Sequence, residues 1–215
     1  LIATASLLFS DNVSEEDELE LKTEACKKGL LVMGPDCGTA IINGIPLAFS
    51  NVVNKGNIGI VAASGTGLQE VSSIISNLGG GISQAIGTGG RDVKEVVGGI
   101  MFIEALRALE TDEQTEVITL ISKPPHHKVL EKISNEIKKL KTPVVAIFIG
   151  GDKKLIESSG AIAADNLEEA AYISYALSQK KDYREELEKL KIRNNSTDQR
   201  VKEIASETEG NYIRG

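Results

Sequence analysis

Short apolar runs recur along this chain, and from residue 58 onward segments with helical spacing separate them. The runs predict buried strands because they are rich in Val, Ile and Ala, and they are 58–63, 82–86, 117–121, 144–149 and 161–163. The segments between them carry apolar residues at helical spacing and predict helices over 68–78, 93–109, 128–140 and 167–177. This alternation predicts a parallel sheet that is covered by helices on both faces.

The part of the chain before residue 58 predicts a different set of elements. Ser14 is placed to cap a helix, because Asp17 follows three residues later and acidic residues fill the first turn. Gly29 is placed to end that helix. The other predicted elements of this part are strands at 1–9 and 30–33 and a hairpin of 39–42 with 45–49 around the favoured turn Asn43-Gly44.

The predicted fold class is α/β, with a flavodoxin-like doubly wound parallel sheet, because the strand candidates recur about every 30 residues with helices between them. Sheets of this kind bind ligands beyond the carboxyl ends of their strands. Glycine-rich loops follow the strand candidates directly, so we expect ligand-binding residues in these loops. The segment 179–215 is highly charged with sparse apolar positions and predicts a helical linker.

Composition narrows the functional classes. The 215 residues carry a net charge of −7, which disfavours nucleic acid and anionic membranes as partners. Aromatic residues make up 4% and Trp is absent, which disfavours base-stacking surfaces. Two cysteines are too few for a disulfide framework and predict a cytoplasmic protein. The sequence has no cluster of His and Cys, so a metal site is not predicted.

The loop Ser64-Gly65-Thr66-Gly67 lies between the strand 58–63 and a helix. The first turn of a helix has free backbone N–H groups and a positive dipole end, so this loop is a candidate anion site. Ser64 and Thr66 would add hydroxyl donors. An ordinary tight turn with Ser64 as the helix cap is an equally open interpretation.

A second glycine loop consists of Gly87, Thr88, Gly89, Gly90 and Arg91. Its glycines would let the backbone approach an anion closely, and Arg91 could reach that anion. The alternative, which the local sequence favours, is a loop that is kept small for packing.

Two further loops carry reactive side chains. The first contains Pro35, Asp36 and Cys37, and its thiol would be a nucleophile only if a neighbour lowered its pKa. No such neighbour is adjacent in sequence, so a passive role is favoured. The second loop contains Lys123 at a strand end, followed by the pair His126-His127. The adjacent histidines are more typical of a surface helix start than of a metal site, so Lys123 is the better active-site candidate.

Several longer motifs resemble a known superfamily. The phrases MGPDCGTAIING, GNIGIVAASGTGLQEV, SQAIGTGGRDV and SGAI resemble the α subunit of succinyl-CoA synthetase in order and spacing. The phrases FSDNVSEEDELELK, KGLLVMGPDCGTAIINGIPLAFSNV and ISKPP resemble the FdrA branch of that superfamily more closely still.

The resemblance implies a domain organisation. Residues 1–50 would be the carboxyl-terminal part of a Rossmann-like CoA-binding domain, 55–178 a succinyl-CoA synthetase-like ligase domain, and 179–215 a linker towards a further domain. The usual glycine-rich CoA loop of the family is not in this sequence. The chain starts at Leu1 without Met, so we expect a middle piece of a longer protein.

The resemblance also implies site residues. In the ligases a histidine in an H-A-G-A-I stretch carries phosphate between two sites, and Ser158 stands at that position here. Lys123 stands in the loop where the family has a supporting glutamate. A serine cannot form the labile N-phosphate, so what remains is an anion cradle formed by Ser64, Gly65 and Thr66. The predicted catalytic residues are Lys123 and Ser158, and the predicted cofactor-binding residues are Pro35, Asp36, Cys37, Ser64, Gly65, Thr66, Gly67, Gly87, Thr88, Gly89, Gly90 and Arg91.

The leading functional interpretation is a piece of an FdrA-type acyl-CoA synthetase-like protein that binds a small anion without a phosphohistidine. CoA, phosphate and carbamoyl phosphate are the candidate ligands. We expect a homo-oligomer or a hetero-oligomer with other subunits, and no activity from this piece alone. Two alternatives stay open: a subunit of an oxamate-type carbamoyltransferase of purine and allantoin catabolism, and a non-catalytic CoA-binding or scaffold subunit.

Overall fold

Strands and helices alternate along most of residues 5–179, the part of the chain that the computed structural model describes. The strands are β1 Ala5–Leu7, β2 Leu31–Met33, β3 Thr39–Ile42, β4 Ile45–Ala48, β5 Lys55–Ala62, β6 Ile82–Gly87, β7 Val117–Ser122, β8 Val144–Phe148 and β9 Ile162–Ala163. The helices are α1 Glu15–Lys27, α2 Gly65–Asn77, α3 Ile100–Glu110, α4 His127–Ile137, α5 Lys153–Ser158 and α6 Leu167–Ser178.

The main sheet has seven strands in the order β4-β3-β6-β5-β7-β8-β9. The strands β5 to β9 pair in parallel with one another, and their order, β6-β5-β7-β8-β9, is the flavodoxin-like strand order. The β3–β4 hairpin extends this sheet at the edge of β6, where Ile41 of β3 lies antiparallel to Ala85. β1 and β2 form a separate parallel pair. The predicted α/β fold class is therefore confirmed.

Helices cover both faces of the main sheet. A strand can contact both layers of helices, because successive residues of a strand point to opposite sides. Ile118 and Leu120 of β7 belong to a buried cluster that includes Phe102 of α3. Thr119 lies between them and points the other way, where its hydroxyl lies 2.7 Å from the Ser174 hydroxyl of α6. The core thus has two layers, one on each side of the parallel strands.

Helix α3 begins later than the sequence predicts. The expected helix over 93–109 is wrong at its start, since α3 begins at Ile100. Gly98 and Gly99 both have φ +77°, a left-handed conformation that interrupts a regular helix. Asp92 instead caps α3 from outside, and its carboxylate accepts hydrogen bonds from two amides of the first turn at 3.2 and 2.8 Å.

Side-chain caps fix two other helix starts. The Ser14 hydroxyl accepts a hydrogen bond from the Asp17 amide at 3.0 Å, as predicted. Asp152 caps α5 and accepts from the Lys154 amide at 2.9 Å. Helix α5 is absent from the sequence prediction because its six residues are too few for a periodic apolar pattern.

The predicted domain division at residue 50 stays a prediction. The hairpin of β3 and β4, which that division assigns to the first domain, lies in the same sheet as the strands that follow it. Helix α1 and strand β2 both contact α3. Apart from its first residue, Gln179, the predicted linker 179–215 lies outside the described residues, as do the first four residues of the predicted strand 1–9.

A buried ionic network attaches α1 to the segment after β6. The side chains of Glu18, Lys22 and Asp92 are fully buried. Lys22 Nζ donates hydrogen bonds to Glu18 Oε1 at 2.7 Å, to Asp92 Oδ1 at 2.8 Å and to the Thr88 carbonyl at 2.9 Å. These three acceptors match the three N–H groups of the ammonium. Lys22 therefore joins α1, the cap of α3 and the loop after β6.

Lys22→Met is expected to lower the free energy of unfolding by about 3–5 kcal/mol, because it leaves buried carboxylates without their cation. Urea denaturation of the 215-residue chain measures this loss. The matched control is Lys27→Met on the same helix, since the ion pair of Lys27 with Glu24 is exposed on both sides and contributes at most about 1 kcal/mol. Equal losses in the two variants would contradict a structural role for the network.

Candidate anion-binding site

A cavity lies where β5, β6 and β7 end, beside the first turn of α2. Its volume is about 300 Å³, at the small end of the range for ligand pockets. Strand β5 lies between β6 and β7, so the strand order reverses here, and doubly wound sheets bind ligands at such a reversal. The lining residues are Asp36, Cys37, Gly38, Thr39, Phe49, Ala62, Ala63, Ser64, Gly65, Thr66, Gln69, Gly87, Gly89, Gly90 and Lys123.

The first turn of α2 faces this cavity. Ser64 caps the helix, and its hydroxyl accepts a hydrogen bond from the Gly67 amide at 3.3 Å. The amides of Gly65 and Thr66 have no acceptor within the helix, because the first N–H groups of an α-helix lack a preceding turn. Both residues line the cavity, where the positive end of the helix dipole favours an anion. The two interpretations of this loop are therefore compatible, since the capped turn also presents free donors.

Gly67 lies away from the cavity. A Cβ atom added at Gly67 would come within 2.9 Å of Ile121 Cγ2, so this glycine allows α2 to pack on β7. A Cβ atom added at Gly65 would lie 3.8 Å from Thr39 Oγ1, which is an ordinary contact. Within this loop, the cavity is thus lined by Ser64, Gly65 and Thr66.

The glycine loop after β6 is tightly packed. A Cβ atom at Gly87 would approach Thr39 O at 2.6 Å and Cys37 Sγ at 2.7 Å, and one at Gly89, where φ is +83°, would overlap Pro35 O. These two glycines allow the loop 34–38 to lie directly against the loop 87–90. At Gly90 the nearest contact of such an atom is ordinary, at 3.6 Å.

Thr88 and Arg91 do not line the cavity. The Thr88 amide donates to Ala62 O at 2.8 Å, and the Thr88 side chain is fully buried. Arg91 donates from Nη1 to Val13 O at 2.6 Å, and its Nε lies 3.1 Å from Glu18 Oε2. The network around α1 therefore holds the guanidinium away from the anion site.

The loop 34–38 contributes Asp36 and Cys37 to the cavity, whereas Pro35 packs behind it. The Cys37 thiol donates to Thr39 O at 3.5 Å. Burial raises the pKa of the Cys37 thiol above its usual range, which keeps the group neutral and disfavours a nucleophilic thiolate. Asp36 is exposed, takes φ +60° and lines the cavity.

Lys123 lies directly after β7, is exposed and lines the cavity. The other predicted catalytic residue, Ser158, lies at the end of α5, where its hydroxyl donates to Leu155 O at 2.8 Å, and it does not line the cavity. His126 and His127 lie at the start of α4, as predicted, with ring centroids 4.3 Å apart. Neither histidine lines the cavity.

Among residues 5–179, no group of three or more His, Cys, Asp or Glu side chains is arranged to hold a metal ion. No helix in this part of the chain is long and apolar enough to cross a membrane.

Six lining residues are absent from the sequence prediction: Gly38, Thr39, Phe49, Ala62, Ala63 and Gln69. The β3–β4 hairpin brings Thr39 and Phe49 to the site. Gln69 Nε2 on α2 donates to Thr39 Oγ1 at 2.9 Å and to Phe49 O at 3.1 Å. The Asn-Gly turn predicts the hairpin itself, but no local signal identifies β6 as its neighbour. Gln69 lies four residues, about one helical turn, after Gly65, which is the only sequence signal that could have suggested it.

Residues 53–150 match a protein family described as the CoA binding domain. This segment contains β5 to β8, which the sequence analysis assigns to the ligase domain. The family match and the predicted domain division therefore place CoA binding in different segments. The match supports CoA binding by the chain.

Relatives point to the same superfamily. The chain is 54% identical over 172 residues to the uncharacterized protein YahF of Escherichia coli K12. The matched region covers 80% of this chain and 33% of YahF. It is 28% identical over 146 residues to an ADP-forming succinate–CoA ligase α subunit of Archaeoglobus fulgidus. This matched region covers 66% of this chain and 49% of that subunit. The chain thus spans a third to a half of these relatives. The similarities support a relationship to the superfamily of succinyl-CoA ligase α subunits.

Solved structures share the fold. An ATP citrate lyase from Methanothrix soehngenii, in complex with citrate and coenzyme A, superposes with a TM-score of 0.68 at 15% identity over 82% of this chain and 34% of the lyase. A dinucleotide-forming acetyl-coenzyme A synthetase from Ca. Korarchaeum cryptofilum, in complex with phosphate and ADP, gives 0.65 at 17% identity over 81% and 43%. At these identities the likeness concerns the fold alone.

Gly89→Ala tests the tight packing of the two loops. Gly79→Ala is the matched control, because Gly79 also has a left-handed backbone, with φ +88°, but an added Cβ atom would meet nothing within 4 Å. The control is expected to cost about 1 kcal/mol of unfolding free energy. Gly89→Ala is expected to cost about 1–3 kcal/mol more, because the added atom overlaps a backbone carbonyl. Urea denaturation measures both, and equal losses would show that the loops have room to separate.

Proposed function

We propose that the chain is part of an FdrA-type, acyl-CoA synthetase-like protein and that its cavity binds a small oxyanion. The observation that carries the proposal is the convergence of the α2 amino terminus and Lys123 on one cavity. The bound group would be a phosphate or a carboxylate. The relatives span more than this chain, so the reaction of the whole protein belongs to the proposal as well.

The donor groups support an anion rather than a neutral ligand. Free amides at a helix start bind anions through hydrogen bonds and through the helix dipole. An ammonium group adds a full positive charge, and hydrogen bonds to charged groups are roughly twice as strong as neutral ones. A volume of about 300 Å³ suits a small anion and not an entire CoA molecule. CoA would therefore need surface beyond this cavity.

The proposed chemistry does not use a phosphohistidine on residues 5–179. Ser158, at the position of the family's phosphorylated histidine, is exposed and hydrogen bonded within its own helix. A serine phosphate ester lacks the lability that reversible transfer needs. The site would instead position the anion and neutralise its charge, which can by itself accelerate acyl or carbamoyl transfer. Such a role fits a subunit that works with a partner.

Lys123→Met is expected to weaken the binding of inorganic phosphate by about tenfold, because it removes a charge-assisted hydrogen bond. Isothermal titration calorimetry on the 215-residue chain measures the dissociation constant. The control is Lys128→Met, which removes the same charge from an exposed ion pair with Glu95 outside the cavity. The proposal fails if the unchanged chain does not bind phosphate, or if the two variants bind it equally well. Failure would favour a scaffold subunit.

A second candidate function is carbamoyl transfer, and Asp36 is the observation that favours it. Asp36, which carries a carboxylate, lines the same cavity as Lys123. The unprotonated oxygens of phosphate accept hydrogen bonds and do not donate, so a carboxylate beside them is unfavourable. A carbamoyl group also carries N–H donors, for which a carboxylate is a suitable acceptor. Carbamoyl phosphate would thus use both kinds of group in the cavity.

Asp36→Asn separates the two candidates. Asn tolerates the left-handed backbone at this position, so the loop should keep its shape. Under carbamoyl transfer, the variant is expected to bind phosphate more tightly, because a like charge is gone, and to lose several-fold in its preference for carbamoyl phosphate over phosphate. Competition calorimetry gives the ratio of the two dissociation constants. An unchanged ratio would rule against Asp36 as a carbamoyl ligand.

A further inference from the structure

Thr39 combines burial with an unused hydrogen-bond donor at the cavity. The residue is only 2% exposed, yet it lines the cavity beside the first turn of α2. Its Oγ1 lies 3.8 Å from the position that a Cβ atom on Gly65 would take. The hydroxyl is therefore adjacent to the free helix amides.

Gln69 determines the direction of this hydroxyl. Gln69 Nε2 lies 3.1 Å from Phe49 O, and a carbonyl can only accept, so the amide nitrogen must face it. The same nitrogen lies 2.9 Å from Thr39 Oγ1. Because an amide NH₂ group only donates, the Thr39 oxygen is the acceptor in this contact. The hydroxyl hydrogen then has to point elsewhere.

The rest of the described chain offers no acceptor for that hydrogen. Within residues 5–179, Thr39 Oγ1 makes no hydrogen bond other than the one that it accepts from Gln69. A buried donor without a partner costs roughly 1–3 kcal/mol relative to one that is paired. The cavity is the space that remains open to it.

The hairpin holds Thr39 and Phe49 in place. Thr39 and Ala48 are partners at the open end of the β3–β4 pair, and the Phe49 amide donates to Gly38 O at 2.8 Å. Ala48 takes φ +53°, an uncommon conformation for a residue other than glycine, and it turns the chain just before Phe49. The Gln69 contacts therefore meet a defined backbone and not a free loop.

We propose that the Thr39 hydroxyl donates a hydrogen bond directly to the bound oxyanion, and that Gln69 is the positioning residue that turns its hydrogen into the cavity. This inference rests on the proposed anion site and extends it. Three elements of the fold then donate to one ligand: the α2 start, Lys123 after β7, and Thr39 of the hairpin. The ligand class is an oxyanion with acceptor oxygens on several sides, such as phosphate.

The test measures phosphate binding to the 215-residue chain by calorimetry in Thr39→Val, Thr39→Ser and the unchanged protein. Thr39→Val keeps the shape but removes the hydroxyl, and it is expected to weaken binding about tenfold. Thr39→Ser keeps the hydroxyl and is expected to stay within about threefold of the unchanged chain. Thermal unfolding without phosphate checks that each variant is folded. If Thr39→Val does not fold, Thr39→Ala carries the same expectation.

The role of Gln69 is tested by a double-mutant cycle. Gln69→Leu is expected to weaken phosphate binding several-fold in the unchanged background, and to have no further effect in Thr39→Val, because both act through one hydroxyl. Additive losses would overturn the positioning role.

The remaining outcomes separate this inference from the proposed function. If the unchanged chain binds phosphate and Thr39→Val binds it equally well, the Thr39 inference is wrong and the anion site stands. If Thr39→Ser binds phosphate as weakly as Thr39→Val, the hydroxyl that Ser retains does not preserve binding, which also overturns the inference. If the unchanged chain does not bind phosphate, the proposed function fails first.

Discussion

Close backbone contact between the loop 34–38 and the loop 87–90 shapes the edge of the sheet at which the candidate site lies. At Gly87 and Gly89 a side chain would collide with the neighbouring loop, so glycine is a steric requirement at both positions. Lys22 stabilises the second loop, because its Nζ donates a hydrogen bond to the Thr88 carbonyl. With these two loops fixed, the hairpin that follows the first one lies along β6, and its first residue, Thr39, reaches the first turn of α2. The cavity is thus a consequence of backbone packing.

The electrostatics of the site follow from the same packing. The ionic network around α1 takes Arg91 out of the cavity, although Arg91 follows the glycine loop directly. Lys123 is left as the cation of the cavity lining, which also includes the acidic residue Asp36. An exposed lysine and an acidic residue in one cavity differ from an arginine, whose guanidinium would bind a phosphate through bidentate hydrogen bonds. This balance is what makes a carbamoyl group a reasonable second ligand.

Similarity to known proteins indicates the superfamily, whereas the reaction depends on the residues that line the cavity. A flavodoxin-like sheet supports many reactions, because function depends on the residues placed at its loops. Relatives with ligase names match the chain at 28% identity over about two thirds of its length, and the resemblance to the succinyl-CoA synthetase α subunit places Ser158 where those ligases have a phosphorylated histidine. The proposed site combines the α2 start and Lys123 with a donor, Thr39, that comes from the hairpin.

The sequence by itself determined the strands, most of the helices and the order of elements, because each depends on local periodicity and capping. It also identified the loops that meet at the cavity, since parallel strands must end at one edge of a sheet. It did not determine which loop residues face the ligand, because that depends on contacts between distant segments: Arg91 turns to α1, Gly67 packs on β7, and Thr39 and Gln69 meet across the hairpin. The start of α3 at Ile100 depends on the left-handed Gly98 and Gly99 and on the cap by the nearby Asp92 carboxylate. Local patterns encode elements, whereas burial and the pairing of hydrogen-bond donors, which only the tertiary structure decides, select the residues that form the site.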